Sequence, residues 1–263
     1  MCGLNYIGTN AELGGCINDV NNMAKVLQNH YDFKPENIII STDETEEKPT
    51  YNNIMKYFEM IKNKSNEYDV IYFHYSGHGT YIRDRDNEEK DRRDEALVPL
   101  DYNRRGFIID DTINRELHSA NKNCKIVMVI DACHSASMVD LRHELDCKSV
   151  KLEENQTDPN AYLYQNWSYN FAISENHNYT DEENIFTISG CRDSQTSADA
   201  WINNKYQGAL SYHLMKTLEL NNYKIPIKYL LKDIHCMLKL GQYEQKPVIT
   251  SSKKIDLDAE FTL

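Results

Sequence analysis

Apolar residues follow two patterns along this chain, and the two alternate. Val70-Ile71-Tyr72-Phe73-His74-Tyr75 and Ile126-Val127-Met128-Val129-Ile130 are short, nearly unbroken apolar runs. Such runs mark strands buried on both faces of a parallel sheet. Ile185 to Ile188 and Pro247 to Thr250 read as two more strands, and Met1 to Tyr6 as the last part of another. Ile38-Ile39-Ile40 predicts a short buried strand, and Ala96 to Leu100 one closed by Pro99. Elsewhere the spacing is helical. Val20, Met23, Ala24 and Leu27 share one face behind a cap expected at Asn18 or Asp19. Thr50 to Lys62 presents Ile54, Tyr57, Phe58 and Ile61, with Thr50 as its cap, and Asp110-Asp111 opens a helix carrying Ile113 and Leu117. Helices are also predicted from about Tyr206 to Leu220 and from Pro226 through Leu238. Alternating strands and helices, without internal repeat, predict an α/β sandwich around a mostly parallel sheet.

Two polar stretches interrupt the pattern. Arg83 to Glu95 is almost wholly charged and reads as a solvated loop. Its acids fall near EF-hand spacings, but Glu89 occupies the sharp-turn position that needs glycine, so an EF-hand is excluded. Leu141 to Asn184 has weak periodicity and scattered aromatics, and reads as a long linker or insertion.

Composition narrows the function classes. With 263 residues, 40% of them hydrophobic, the chain can bury a sizeable core as one large domain or two small ones. A net charge of −12 without a basic stripe argues against nucleic-acid binding and suits basic ligands or divalent cations. No apolar run reaches membrane-spanning length and no signal-like segment opens the chain, so a cytoplasmic protein is expected. Seven irregularly spaced cysteines point to thiols, and paired CxxC elements for zinc are lacking.

The candidate chemistry sits where two strands end. The Ile126–Ile130 run stops at Asp131, and Cys133 follows among the small residues Ala132, Ser135, Ala136 and Ser137. The earlier run leads into Ser76-Gly77-His78-Gly79. In open parallel sheets reacting groups gather beyond the carboxyl ends of strands. A Cys–His pair at one such edge is the minimum equipment of a thiol nucleophile. His134 adjoins Cys133 in sequence, but neighbouring side chains at a strand end diverge, which favours His78 as its partner.

HYSGHG and DACHS, in this order and about this far apart, resemble the metacaspases, caspase-like cysteine peptidases. ISGCRDSQTSADA (Ile188 to Ala200), YQGALSY (Tyr206 to Tyr212) and the QKPVITSS ending are similar to that family's small-subunit region. The resemblance implies one caspase-like three-layer sandwich, with residues 1–140 large-subunit-like, 141–184 a linker or insertion and 185–263 small-subunit-like. Cys2 to Tyr6 resembles the end of the family's first strand, which normally starts several residues earlier, so either that strand is short here or the start lies upstream of Met1. Cys133 is then the expected nucleophile and His78 its proton partner, with backbone N–H groups of Gly79 and Cys133 as the oxyanion hole. Cys16, Asp19, Ser76 and Asp131 are expected to line the pocket for the residue before the cut bond. Two carboxylates there favour Arg or Lys and repel Asp. Asp94, Asp110, Asp111 and Asp140 match positions that bind calcium in calcium-dependent members, although by themselves these acids read as helix caps and surface charge. Arg142, Lys148 and Lys151 offer basic sites for self-cleavage in the linker, with Lys148 and Lys151 preferred.

The expected protein is thus a calcium-dependent cysteine endopeptidase acting on polypeptides, monomeric, without nucleic-acid or membrane partners. A catalytically silent caspase-like binding module is the alternative from another class. A legumain-like or Asp-preferring caspase-like enzyme is a third reading, opposed by Asp19 and Asp131.

Overall fold

The structure, a computed structural model, describes residues 1–83, 93–133, 138–139, 141–149, 167–173, 182–190 and 199–263. In chain order, β1 (Cys2–Gly3) is followed by α1 (Cys16–His30), β2 (Ser41–Thr42), α2 (Tyr51–Lys64) and β3 (Val70–Ser76). Next come β4 (Gly79–Arg83), β5 (Arg93–Leu97), α3 (Tyr102–Arg105), β6 (Ile108–Ile109), α4 (Asp110–Leu117) and β7 (Lys125–Asp131). The rest is β8 (His143–Ser149), β9 (Trp167–Ile173), β10 (Ile185–Ser189), β11 (Asp199–Ile202), β12 (Lys205–Gly208), α5 (Ala209–Leu220), α6 (Ile227–Leu240) and β13 (Val248–Ser251).

An eight-stranded sheet in the order β2-β1-β3-β7-β10-β13-β8-β9 forms the middle layer. From β2 to β10 neighbouring strands are parallel; from β10 to β9 they are antiparallel. Strand β7 shows why there are three layers. Side chains alternate across a strand. Accordingly Ile126, Met128 and Ile130 enter one core with Ile54, Phe58 and Ile61 of α2 and Ile113 and Leu117 of α4. Val127 and Val129 enter a second core with Met23 and Leu27 of α1, Leu210 and Leu214 of α5 and Leu230 and Ile234 of α6. The continuous apolar run of this strand is therefore the mark of burial on both faces. Thr50 caps α2 as expected, its hydroxyl accepting from Asn53 N.

Some elements differ from the sequence expectation. Ile38–Ile40 is not a strand; the paired residues are Ser41 and Thr42, and Ile39 is 44% exposed. β1 supplies only two residues, set against Tyr75 and Ser76 of β3, so its outer neighbour is equally short. An open cavity of about 400 Å³ lies beside that end of the sheet, lined by Met1, Ile38, Ile39, Ile71, Tyr72 and Phe73 among others. Residues 141–184, expected as a linker, contribute β8 and β9 to the sheet edge. Their signal is weak because β9 is an outer strand on which even Phe171 and Ile173 are exposed, so polar and apolar positions do not alternate. The charged stretch after β4 is not wholly solvated either: Asp94 and Glu95 lie buried in β5. That strand ends at Leu97, earlier than expected. Tyr206 belongs to β12, and α5 begins three residues later at Ala209.

Truncating the central strand tests this layering. Met128→Ala is expected to cost about 2–5 kcal/mol, as for other buried large-to-small changes. Urea unfolding followed by tryptophan fluorescence and far-UV circular dichroism measures it; an unchanged midpoint would place Met128 outside the packed core.

Candidate active site

Strands β3 and β7 end level with one another. Ser76 is the register partner of Asp131, and Gly77 N donates to Asp131 O at 3.3 Å. His78 and Cys133 each follow two residues later, so equal strand lengths bring both to one edge of the sheet. Gly79 closes the gap. A Cβ built on it would overlap the carbonyl oxygen of Cys133 and stand 3.2 Å from Ala132 Cβ. Only glycine lets the two backbones approach this closely.

His78 is held from several sides. Its Nε2 is 2.8 Å from Ala11 O, an acceptor, so Nε2 carries the proton and Nδ1 is the ring nitrogen left to exchange one. Its backbone N donates to Tyr6 Oη at 3.0 Å, and its carbonyl accepts from Tyr75 Oη at 2.8 Å. Tyr6 Oη in turn donates to Val98 O at 2.6 Å, and its ring leans on the imidazole at 4.7 Å between centroids. Both phenols are buried, which raises their pKa and keeps them neutral donors. Sequence reasoning missed Tyr6, Ala11 and Tyr75. Tyr75 adjoins Ser76-Gly77-His78-Gly79, but nothing local marks Tyr6 or Ala11, which lie 72 and 67 residues before His78.

Beside these residues Asp19 and Asp131 lie together inside the protein, 0% and 4% exposed. Asp19 is not the cap of α1. Gly15 holds the cap position, and Asp19 N donates to Gly15 O within the helix. Asn18, the other expected cap, instead donates its side-chain amide to Tyr206 O. The Asp19 carboxylate accepts from Ser76 Oγ at 2.7 Å and from Gly208 N at 3.0 Å. Asp131 Oδ2 accepts from Ser211 N at 2.8 Å. Gly208 and Ser211 stand at the first turn of α5, whose unpaired N–H groups and positive dipole end suit anions. A Cβ on Gly208 would press into Asp131 Oδ2 and come within 2.6 Å of Asp19 Oδ2, so this position excludes any side chain.

Burial, and next the neighbouring charge of Asp131, push the Asp19 carboxyl well above the usual carboxylate range, against the donors Ser76 and Gly208. Cys16 is buried on the same helix, and its thiol is raised by burial and then by Asp19, so it is a neutral wall. The structure thus brings Cys16, Asp19, Ser76 and Asp131 together. A further acid joins them. Asp199, register partner of Gly208 on the β11–β12 hairpin, accepts from Gly14 N at 2.6 Å, and its buried Oδ1 faces Gly15. Gly208, Ser211 and Asp199 lie in the ISGCRDSQTSADA and YQGALSY segments, but their contact with Asp19 and Asp131 joins distant parts of the chain.

The acids expected at a metal are distributed differently. Asp110 and Asp111 open α4, and Asp110 accepts from Asp111 N at 2.8 Å and Glu95 N at 3.0 Å. Burial, with Asp111 and Asp94 nearby, pushes the Asp110 carboxyl up to about 7. Among the described residues no group of three or more His, Cys, Asp or Glu side chains is arranged to hold a metal ion. Asp140 lies outside the described residues, as do His134 and Lys151. Lys148 has an exposed side chain, but its backbone lies in β8 opposite Ser168 of β9. The six described cysteines form no disulfide, and no described helix is long and apolar enough to cross a membrane.

Known proteins are similar to this chain over nearly its whole length. Two solved structures share the fold: a protein from Geobacter sulfurreducens, with a TM-score of 0.63 at 20% identity over 98% of this chain and 95% of that one, and Caspase-1 from Spodoptera frugiperda, with 0.58 at 15% identity over 95% and 85%. They establish a caspase-like α/β fold. The profile of the family described as "Metacaspase, peptidase C14 domain" matches residues 1–142. Metacaspase-1 of Meyerozyma guilliermondii is 31% identical over 100% of this chain and 71% of its own length. Metacaspase-1 of Schizosaccharomyces pombe is 30% identical over 100% and 69%. The chain belongs to the metacaspase family of cysteine-type peptidases.

Proposed function

We propose that the protein is a calcium-dependent endopeptidase that cuts polypeptides after Arg or Lys, with Cys133 as nucleophile and His78 as its proton partner. The observation that carries the reading is the buried pair Asp19 and Asp131, directly beside the strand ends that present His78 and Cys133. Ionised acids are costly to bury without a positive partner. An arginine or lysine side chain supplies that partner, while an aspartate adds a third negative charge. The pair therefore selects basic residues before the cut bond.

In the reaction the Cys133 thiolate attacks the scissile carbonyl carbon. The tetrahedral oxyanion is stabilised by backbone N–H groups of Gly79 and Cys133, whose backbones adjoin. As the C–N bond breaks, protonated His78 gives its proton to the leaving amine, and a thioester remains on Cys133. Water, losing a proton to His78, then attacks the thioester and releases the new carboxylate and the thiol. Tyr6, Tyr75 and Ala11 hold the imidazole in place through both half-reactions.

Asp94, Asp110 and Asp111, with Asp140, are the residues that would hold calcium. Their oxygens are the hard donors Ca²⁺ takes, and Asp110 is held in a poorly solvated place where burial first, and then Asp111 and Asp94, raise its carboxyl. A bound cation would neutralise these acids and brace the β5–α4 side of the active-site edge. Self-cleavage belongs to the same proposal. At Lys148 it requires β8 and β9 to part first, since a scissile bond must enter the cleft as an unpaired strand; Lys151 is the other candidate.

The reading is tested with fluorogenic peptides ending in Arg, Lys or Asp, with and without calcium. Turnover after Arg or Lys is expected to need calcium and to vanish in Cys133→Ala. Asp-directed turnover, or activity surviving in that variant, would refute it. In calorimetry on Cys133→Ala, Asp110→Asn is expected to weaken calcium binding at least about 10-fold, the loss typical of a disturbed metal ligand shell; an unchanged isotherm removes calcium from this site.

A pH experiment isolates Asp19. Its carboxyl is raised in the free protein, so at low pH it is protonated and an incoming guanidinium finds no charge. Binding of an Arg-ending peptide to Cys133→Ala is expected to tighten as pH rises through that range. In Asp19→Asn the pH dependence flattens and affinity falls by at least about 30-fold, as for loss of one partner of a buried charge pair. The same shift sets stability. A group raised above its unfolded value contributes stability at low pH that is lost as pH rises through the raised value. Asp19→Asn should therefore lose less melting temperature than its parent between acid and alkaline buffer; parallel curves would mean that Asp19 titrates normally.

A further inference from the structure

One face of β3 carries two buried polar side chains in succession, His74 and Ser76, 0% and 1% exposed. Residues two apart on a strand share a face. Ser76 reaches forward to Asp19 of α1. His74, one step behind the pocket, puts Nε2 3.0 Å from Ser211 Oγ of α5, and Ser211 is itself 0% exposed. Ser211 uses both its polar groups: the hydroxyl meets His74, and the backbone N–H holds Asp131. Gly208, three residues earlier, holds Asp19. A closed ring results, running from Ser76 through Asp19 and Gly208 to Ser211 and back to β3 at His74, with Asp131 attached to it at Ser211 N. His74 touches none of the reacting groups, yet polar side chains are costly in a core unless a partner compensates them. Its imidazole is kept neutral by burial, with the pKa lowered to about 3, so the contact does not change across working pH.

We propose that His74 and Ser211 are positioning residues of the specificity pocket. Their hydrogen bond locks the first turn of α5 to β3, and so sets where its N–H groups hold Asp19 and Asp131. The inference rests on reading that pocket as the site for an Arg or Lys side chain. Fixing donors on a rigid element keeps two like charges at a spacing that a guanidinium can bridge. Without the lock the helix end can rock, and the carboxylates lose their register with the substrate. The cost then falls chiefly on binding, because Cys133 and His78 follow the ends of β7 and β3, which are paired to each other along their whole length, whereas Asp19 and Asp131 take donors from the start of α5.

Ser211→Ala is the cleanest variant, since it deletes one oxygen and leaves the N–H to Asp131. KM for an Arg-ending peptide is expected to rise about 5- to 10-fold, the worth of one buried hydrogen bond, while kcat changes by less than about 2-fold. Ser211→Thr, which keeps the hydroxyl, should restore KM, and His74→Phe should match Ser211→Ala. Alkylation of Cys133 by iodoacetamide should proceed as in the parent protein. If His74→Phe does not fold, the Ser211 variants carry the test. A parent enzyme that prefers Arg or Lys, with KM unmoved in Ser211→Ala or with kcat falling in parallel, overturns the positioning role alone. A parent without that preference overturns the pocket reading and this inference together.

Discussion

Two carboxyl groups are kept next to each other inside this protein, held by donors from β3 and the start of α5. Asp19 comes from α1 and Asp131 from the end of β7, more than a hundred residues apart. Their hydrogen bonds to Ser76 Oγ, Gly208 N and Ser211 N all come from neutral donors. Backbone donors at a helix start are well suited to this, because they are fixed by the helix and carry part of its positive end. They do not abolish the penalty of burial, which is why the Asp19 carboxyl stays raised.

The same constraint explains the glycines around the site. Gly79 and Gly208 are places where a side chain would displace chemistry: at Gly79 it would strike the Cys133 carbonyl, and at Gly208 the two carboxylates. Close approach, and not turn geometry, is what glycine supplies at both. Behind them stand rigid partners. Tyr6 and Tyr75 clamp the His78 backbone, and His74 and Ser211 tie α5 to β3. β3 therefore serves both places: it carries His74 and Ser76 beside the buried carboxyl groups and leads directly to His78.

Legibility in the sequence follows how local each signal is. The double-sided burial of β3 and β7 is readable because a short, unbroken apolar run fits a strand covered on both faces, and it carries the sheet and both strand ends with it. α2 is readable from its period and from Thr50. Ile38–Ile40 misleads because three isoleucines mark a strand only if a neighbour is long enough to pair with them, and β1 offers two residues. β8 and β9 escape notice because an edge strand need not alternate. Asp19 is ambiguous by nature: an acid three residues into a helix reads equally as a cap until its partner, Gly208, is brought beside it.

The sequence by itself determined the α/β alternation, the strands that end at Ser76 and Asp131, and so the meeting of His78 with Cys133 at one sheet edge. These follow from patterns a few residues long, where burial and backbone geometry leave little choice. Only the tertiary structure decided that Asp19 and Asp131 share one buried place, that β3 and the start of α5 supply their donors, that Tyr6 and Ala11 hydrogen-bond His78, and that His74 meets Ser211. Those are contacts between distant segments, set by the register of strands and the docking of helices. No short stretch of chain contains the information, because the energy that fixes it exists only once both partners are packed.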